Sequence, residues 1–498
     1  MLVNEIENNN SNKIAVTKLS IMILLTVITQ AVMLIKTSVT ASQFGANVEM
    51  DAYNLTNSIG TFIFSFIGAG VTTILIPNLV NKGKDKSINV FISALYSVAF
   101  IMLIIIYIFR RSIISTFSTG NEYLINVASN VMLITLITQF CLSISGIANA
   151  VFQVKNKFNI PKVITLATSI LLVLLIYISP KLDIYKFSFF IFITTLISIL
   201  IQIIYVVRSG YRYSFSLAIN DSSFKSMIIN FVPTVLSTGL YQISLLTGTL
   251  IASKLGAGQI SVLTYSNTII SLINTLLLVN IITYFYPKLV QFINSDASQE
   301  KLFDFVIFLN GIMSLVVVGF FIIGKDFIKL LYERGNFDSS ITSIVYICTI
   351  IYIVGLPINA VRDLIYRYFY AKEDTLTPFN NSLIISVLNI IISILLSKIM
   401  GIYGVILGST ITSFISLAMI MYRFKKKFSI KYDKKVLVIE NLKILITSVF
   451  IIVGINILIN IMNLRNSILT TILYAIVVVI AYVIMLIILK SRIFKIKL

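Results

Sequence analysis

The chain contains no histidine, so imidazole serves neither as metal ligand nor as proton relay nor as general base. Cys141 and Cys348 stand alone in apolar runs, with no metal-ligand spacing, and no disulfide is expected between them. There is no Walker A motif, no zinc spacing and no pair of carboxylates within an apolar run, so enzyme chemistry finds no foothold and no cofactor is implied. What remains are ionisable side chains inside apolar stretches, each costing about 2.5–3.5 kcal/mol on insertion scales and therefore a candidate site. Lys36 is the first, with Gln30 six residues earlier on roughly the same side and Asp51 opening the next stretch as its candidate ion-pair partner. An ammonium facing a cavity suits a phosphate or pyrophosphate group, which lysine binds as a point charge. The alternative is a Lys36 that snorkels to an interface, with Asp51 a favourable charge at a helix N-terminus. Lys254 lies near the end of a later apolar run and reads more readily as interfacial. Arg362, Asp363 and Arg367 cluster together, and Asn359 precedes Asp363 by one turn. That group is either an interfacial ion-pair cluster or, through Asn359 and Asp363, a small cation site. Any energy coupling would fall to a monovalent cation or to the membrane potential.

The elements that position these residues follow from composition. Of 498 residues, 58% are hydrophobic and 12% charged, with a mean hydropathy of +0.98. A soluble domain carries roughly 25% charged residues, so a soluble enzyme, a disordered protein and a secreted disulfide scaffold are excluded. The net charge of +20 would suggest nucleic acid on a soluble protein, but these charges lie in short segments between apolar runs. The runs are continuously apolar, which predicts membrane-spanning helices and not barrel strands. About fourteen runs reach the roughly 20 residues a span needs, among them 54–80, 226–252, 262–287 and 341–370. The polar segment 1–18 lacks the arrangement of a cleavable signal and reads as a cytoplasmic tail. With an even number of spans and the N-terminus inside, 28 of the 39 basic residues fall on the cytoplasmic side, which places both termini there. The strongest contribution comes from Arg423, Lys425, Lys426, Lys427, Lys431, Lys434 and Lys435, read as an anchor on an anionic leaflet. Gly404 and Gly408 are expected to allow close helix packing.

Short repeats organise the runs. Ala41-Ser42-Gln43-Phe44-Gly45-Ala46 returns as Ala252-Ser253-Lys254-Leu255-Gly256-Ala257, and Pro77-Asn78-Leu79-Val80 as Pro287-Lys288-Leu289-Val290. Phe152, Lys155 and Pro161 return at identical spacing as Phe369, Lys372 and Pro378. The order agrees, at offsets of 211, 210 and 217 residues, which predicts a duplicated unit of six helices. Because six is even, the copies share an orientation and are related by a pseudo-two-fold along the membrane normal, with a substrate path between them. The expected organisation is a tail at 1–18, an N-lobe of helices at 19–215, a C-lobe at 216–424, a basic loop at 425–442, and two further helices with a basic tail at 443–498.

Several segments resemble one family. Phe44-Gly45-Ala46 followed by Asp51-Ala52-Tyr53 resembles the start of the MurJ/MviN lipid II flippases. Leu331-Tyr332-Glu333-Arg334-Gly335-Asn336-Phe337 and Phe369-Tyr370-Ala371-Lys372-Glu373-Asp374-Thr375-Leu376-Thr377-Pro378 are similar to two further segments of that family, with Arg334, Gly335, Phe337, Asp374 and Pro378 its motif residues. The resemblance implies the multidrug/oligosaccharidyl-lipid/polysaccharide exporter fold, with two lobes around a cavity and a C-terminal helix pair thought to receive a lipid tail. It implies a transporter in the bacterial cytoplasmic membrane, moving an undecaprenyl-pyrophosphate-linked glycan precursor, above all lipid II, to the outer leaflet. Its partners would be that precursor, membrane lipids and cell-wall synthesis enzymes; nucleic acid would not be one, and the chain would act as a monomer. The family carries two arginines in its first helix where this chain has Gln30 and Lys36, and a Tyr-Ala-Asp-Arg where it has Tyr265-Ser266-Asn267-Thr268. The acidic position is kept as Asp51, so the cationic part of the implied cavity contracts mostly to Lys36. Another lipid-linked oligosaccharide as cargo, a cation-coupled drug exporter and a non-transporting scaffold for glycan assembly are the alternative readings.

Overall fold

A computed structural model describes residues 2–80, 85–118, 121–155, 157, 159–179, 182–217, 222–293, 295, 298–429, 432–462 and 468–495. Among them there is no β-strand. Lipid offers backbone groups no hydrogen bonds, so apolar segments this long satisfy their own N–H and C=O groups as helices. The first set comprises α1 (Leu2–Phe44), α2 (Val48–Val80), α3 (Asp85–Ile108), the short α4 (Arg110–Phe117), α5 (Glu122–Val154), α6 (Asn159–Ile178), α7 (Ile184–Arg208) and α8 (Ser222–Ala252). Next come α9 (Gln259–Ile273), a π-helical turn at Asn274–Val279 and α10 (Asn280–Phe292). They are followed by α11 (Ser298–Tyr332), α12 (Ser339–Val354), α13 (Leu356–Ala371), α14 (Leu376–Met400), α15 (Ile402–Phe428), α16 (Lys434–Met462) and α17 (Ile468–Ile488).

Twelve helices among the described residues are long and apolar enough to cross a membrane. The expected spans at 54–80 and 226–252 fall in α2 and α8, which include side chains outside the described residues, as do Pro287, Lys288 and the segment 1–18; Lys431 lies outside them altogether. The faces of α3 and α17 show how these helices meet their solvent. Ile101, Ile104, Ile105 and Ile108 on α3, and Ile472, Ile476 and Ile480 on α17, are exposed. Apolar strips of this kind suit hydrocarbon and not water. The chain is thus an all-α, multi-pass membrane protein.

The expected span at 341–370 is found as one apolar span, Ser339–Ala371, with a single-residue turn at Gly355. Gly355 ends α12 and Pro357 sits in the first turn of α13, where its missing N–H deprives the preceding turn of a ladder bond. The hydroxyl of Thr410 donates to the nearby Ile351 carbonyl at 2.8 Å.

Contacts divide the chain into two units, Met1–Ser261 and Val262–Leu498. In the first, α2 packs along α5, α8 and α3. A side chain at Gly146 on α5 would meet the Gly68 carbonyl oxygen of α2 at 2.6 Å, so this crossing requires glycine. In the second, α11 is central, with α12, α13, α16 and α17 against it. Asn310 donates to Asn441 Oδ1 at 2.5 Å, and Tyr482 donates to the Gly311 carbonyl at 3.0 Å, fastening the C-terminal helix pair. The α14–α15 hairpin turns at Gly401, whose φ is +58°. A side chain at Gly408 would meet Ser393 Oγ at 2.5 Å, and one at Gly404 would strike the Leu396 carbonyl, as expected for close packing.

The third repeat match occupies equivalent places. Phe152 and Phe369 are both fully buried. Lys155 and Lys372 are the C-caps of α5 and α13, with φ, ψ of −91°, 11° and −89°, 14°. Pro161 and Pro378 are each the third residue of the next helix, where no intrahelical N–H bond is lost.

Candidate functional site

Asp51 is the most fully engaged ionisable group of the first unit. It lies in the first turn of α2, whose N-terminus is capped by Asn47 Oδ1 accepting from Met50 N at 2.8 Å. The Asp51 side chain has no solvent exposure. Its carboxylate accepts from Gly258 N at 2.5 Å, from Ser261 N at 2.7 Å and from Ser261 Oγ at 2.6 Å. These donors stand at the N-terminus of α9, so one carboxylate lies at two helix N-termini, its own and that of α9. Each contributes free N–H groups and positive potential, which solvates a buried anion without a cation.

Sequence reasoning did not find Gly258 and Ser261, yet a signal was present. At the offset of the first repeat, Gly258 stands where Asn47 stands, and Val262 where Asp51 stands. The first copy caps its own helix with Asn47; the second lacks that side chain and receives Asp51 instead. Gly258 has φ +83°, and a side chain there would meet the Ala46 carbonyl oxygen at 2.5 Å. Only glycine permits this approach of the two equivalent turns.

Lys36 is not the partner of Asp51. It lies on α1, half-buried, eight residues before the end of the helix and so about 12 Å inside it. Its carbonyl accepts from Thr40 Oγ1 at 2.8 Å. Its ammonium makes none of the ion pairs found among the described residues. The equivalent position in the second copy is Thr247, which bonds back to the Ile243 carbonyl at 2.8 Å, so the ammonium has no counterpart. Gln30 is half-buried on the same helix, and Lys254 is exposed in the turn after α8. Asn267 is half-buried on α9 in the second unit.

The motif residues build junctions. Arg334 Nη2 donates to the Leu330 carbonyl at 2.6 Å and caps the end of α11. Gly335 takes φ +58°, turning the chain. Phe337 is 1% exposed, its ring 5.3 Å from Tyr265 and 5.5 Å from Tyr332, and Asp338 caps α12 through Ile341 N at 2.8 Å. Asp374 accepts from Thr377 N at 3.0 Å, Thr377 Oγ1 at 2.8 Å and Lys427 Nζ at 2.5 Å. Arg423 donates to the Thr377 carbonyl at 3.2 Å, so the basic end of α15 is tied to the start of α14, where Pro378 is buried. Partial burial works to raise the Asp374 pKa, but the bonds from Lys427 and Thr377 outweigh it and hold the carboxyl below its ordinary value.

Asp363 is paired with Arg362, through Nε at 3.0 Å and Nη2 at 2.8 Å. The amide oxygen of Asn359 is buried with no hydrogen-bond partner. A cation between Asn359 and Asp363 would have to displace the guanidinium. No group of three metal-ligating side chains occurs among the described residues.

Comparison with known proteins places the chain in a family. The chain matches the family described as lipid II flippase MurJ over residues 40–491. A probable lipid II flippase MurJ of Helicobacter pylori is 29% identical over 194 residues, 38% of this chain and 41% of the relative; the chain thus spans less than half the length of that relative. The lipid II flippase MurJ of Thermosipho africanus is 23% identical over 397 residues, covering 77% of this chain and 80% of the relative. Among solved structures, a lipid II flippase MurJ in an inward closed conformation superposes with a TM-score of 0.80 at 22% identity, over 93% of this chain and 97% of that one. A Vibrio cholerae MATE transporter matches at a TM-score of 0.57 and 13% identity, over 84% of this chain and 98% of that one.

Proposed function

The chain belongs to the lipid II flippase MurJ family, and from that premise we propose that it moves lipid II from the inner to the outer leaflet of the bacterial cytoplasmic membrane, with both termini in the cytoplasm. The observation that carries this reading onto the chain's own residues is Lys36. Its ammonium lies more than two turns inside α1 and makes no ion pair among the described residues. A cation held at membrane depth without an anion is costly, and a pyrophosphate headgroup supplies the missing charge. Gln30, on the same helix, adds a polar contact for the sugar and peptide parts.

Asp51 has a different task in this proposal. Its bonds to Gly258 and Ser261 hold the outer ends of α2 and α9 together. That clasp closes the outer side while the headgroup enters from the cytoplasm, and it must open for release. The tail stays in lipid throughout. The inside-negative potential favours outward movement of an anionic headgroup, at about 2.3 kcal/mol per charge per 100 mV. Potential serves better than a cation at Asn359 and Asp363, because Arg362 already neutralises Asp363.

The test is complementation of a bacterium whose own lipid II flippase can be shut off, reading lipid II exposed in the outer leaflet. The chain restores exposure, Lys36→Arg retains it, and Lys36→Ala reduces it at least tenfold at equal expression. Normal exposure with Lys36→Ala removes Lys36 from the mechanism. No exposure from a well-inserted chain refutes the cargo.

A further inference from the structure

An apolar cavity of about 300 Å³ lies within the first unit, between α3, α5 and α7, and no part of the proposed transport mechanism uses it. Tyr96, Phe140, Ala148 and Val206 are among its walls, and Tyr211 and Tyr213 stand at one end. These two tyrosines belong to the extended segment after α7, which is laced onto α3. Tyr211 donates to Asn89 Oδ1 at 3.1 Å, Asn89 donates to Ser214 Oγ at 2.9 Å, and Ser216 N donates to Ser93 Oγ at 3.1 Å. With the N-terminus in the cytoplasm, as proposed above, and successive spans alternating in direction, that end of the cavity lies on the cytoplasmic side.

Besides the tyrosines, two polar residues interrupt the lining: Ser145, whose hydroxyl is spent on the Leu142 carbonyl at 2.7 Å, and Gln202. Gln202 is 4% exposed, and its Nε2 donates to Ser198 Oγ at 3.2 Å while its Oε1 is buried with no partner. A serine hydroxyl donates or accepts equally well, so the amide also fits turned over, with its oxygen accepting from Ser198 and its NH₂ unspent, and in that orientation the NH₂ donates to a ligand carbonyl. A buried amide arm without a partner is costly and points to a ligand. Beyond Gln202, towards the cytoplasmic end, stand cations. Arg208 ends α7, Arg212 follows it, and both are exposed. Lys155 Nζ lies 3.7 Å from the point where a side chain on Gly210 would begin.

We propose that this cavity binds one acyl chain of an anionic glycerophospholipid of the cytoplasmic leaflet, with its phosphate on Arg208, Arg212 and Lys155 and an ester carbonyl on the Gln202 amide. The order cation, amide, hydrocarbon along the site reproduces the order phosphate, ester, chain along such a lipid. A zwitterionic lipid offers the same chain and ester but no net charge for the three cations.

The chain contains no tryptophan, so one introduced indole is the sole emitter of its kind. F140W places it on the cavity wall and I480W on the lipid-facing side of α17. Full-length variants in lipid nanodiscs are titrated with phosphatidylglycerol or phosphatidylcholine brominated on the acyl chain. Half-maximal quenching of F140W is expected at about fivefold lower mole fraction of phosphatidylglycerol than of phosphatidylcholine. R208Q/R212Q abolishes that preference, and I480W shows none. Native mass spectrometry of the unaltered chain, which requires no substitution on the wall, should retain phosphatidylglycerol adducts that R208Q/R212Q loses. Equal quenching by the two lipids, or adducts unchanged by R208Q/R212Q, overturns the proposal.

Discussion

At the residue scale, two ionisable groups near one another in sequence behave in opposite ways. Asp51 is buried and satisfied by two helix N-termini, whereas the Lys36 ammonium makes no ion pair among the described residues. Asp51→Asn removes the charge and turns an NH₂ towards N–H donors, which weakens the clasp by about 2–3 kcal/mol. In a background with Cys141 and Cys348 replaced by serine, an Ile260→Cys thiol reports this opening, because Ile260 is 1% exposed. Its reaction with a maleimide accelerates at least tenfold on adding Asp51→Asn; an unchanged rate contradicts the clasp. Both candidate residues were legible in the sequence, since a charge inside an apolar run stands out. The partner of Asp51 was not. Gly258 and Ser261 lie more than two hundred residues away, and a glycine N–H leaves no signature in a sequence. Only the replacement of Asn47 by Gly258 between the repeats hinted that a helix cap was missing.

At the element scale, the motif residues mark where helices end and begin. The left-handed conformation of Gly335, φ +58°, lets Phe337 return onto Tyr265 and Tyr332. Gly335→Ala should cost about 1–2 kcal/mol, read as a lower unfolding temperature with transport retained in proportion to folded protein. Loss of transport from fully stable protein would instead give the turn a direct part in the cycle. Asp374 makes a pH prediction. Its carboxyl is held below the ordinary value near 3.8, so its contribution to stability is full above that value and is lost as pH falls through the lowered one. The unfolding temperature of the intact chain should exceed that of Asp374→Asn at neutral pH, and the gap should begin to close as pH falls below about 4 and vanish below the lowered value. A gap that persists at low pH refutes the assignment. Glycine and proline spacing makes these junctions readable from the amino acids alone. The span at 341–370 was legible as one crossing, and Gly355 and Pro357 mark the single-residue turn within it.

At the scale of the whole molecule, the segments that match between the two parts of the sequence have diverged unequally. Their turns and caps agree, as at Lys155 and Lys372, whereas their charges do not. At the sequence offset of the first match, Thr247 stands at the position of Lys36 and Val262 at that of Asp51, so neither charge has a counterpart. The all-helical membrane architecture was legible because composition leaves lipid few other solutions. The chain-wide contact pattern was not, since α8 follows the repeat boundary yet packs with α2 and α3. The central claim is that this chain moves lipid II and that Lys36 carries the headgroup. It is tested most directly in proteoliposomes holding the purified chain and lipid II with a fluorophore on its headgroup, under an imposed membrane potential, with a membrane-impermeant quencher added to one side. The account predicts that fluorophore facing away from the quencher becomes accessible on the minute scale, faster when the potential favours movement towards the quencher, and at least tenfold more slowly with Lys36→Ala. Accessibility no faster than in protein-free liposomes, or equal rates with and without the Lys36 ammonium, would contradict it.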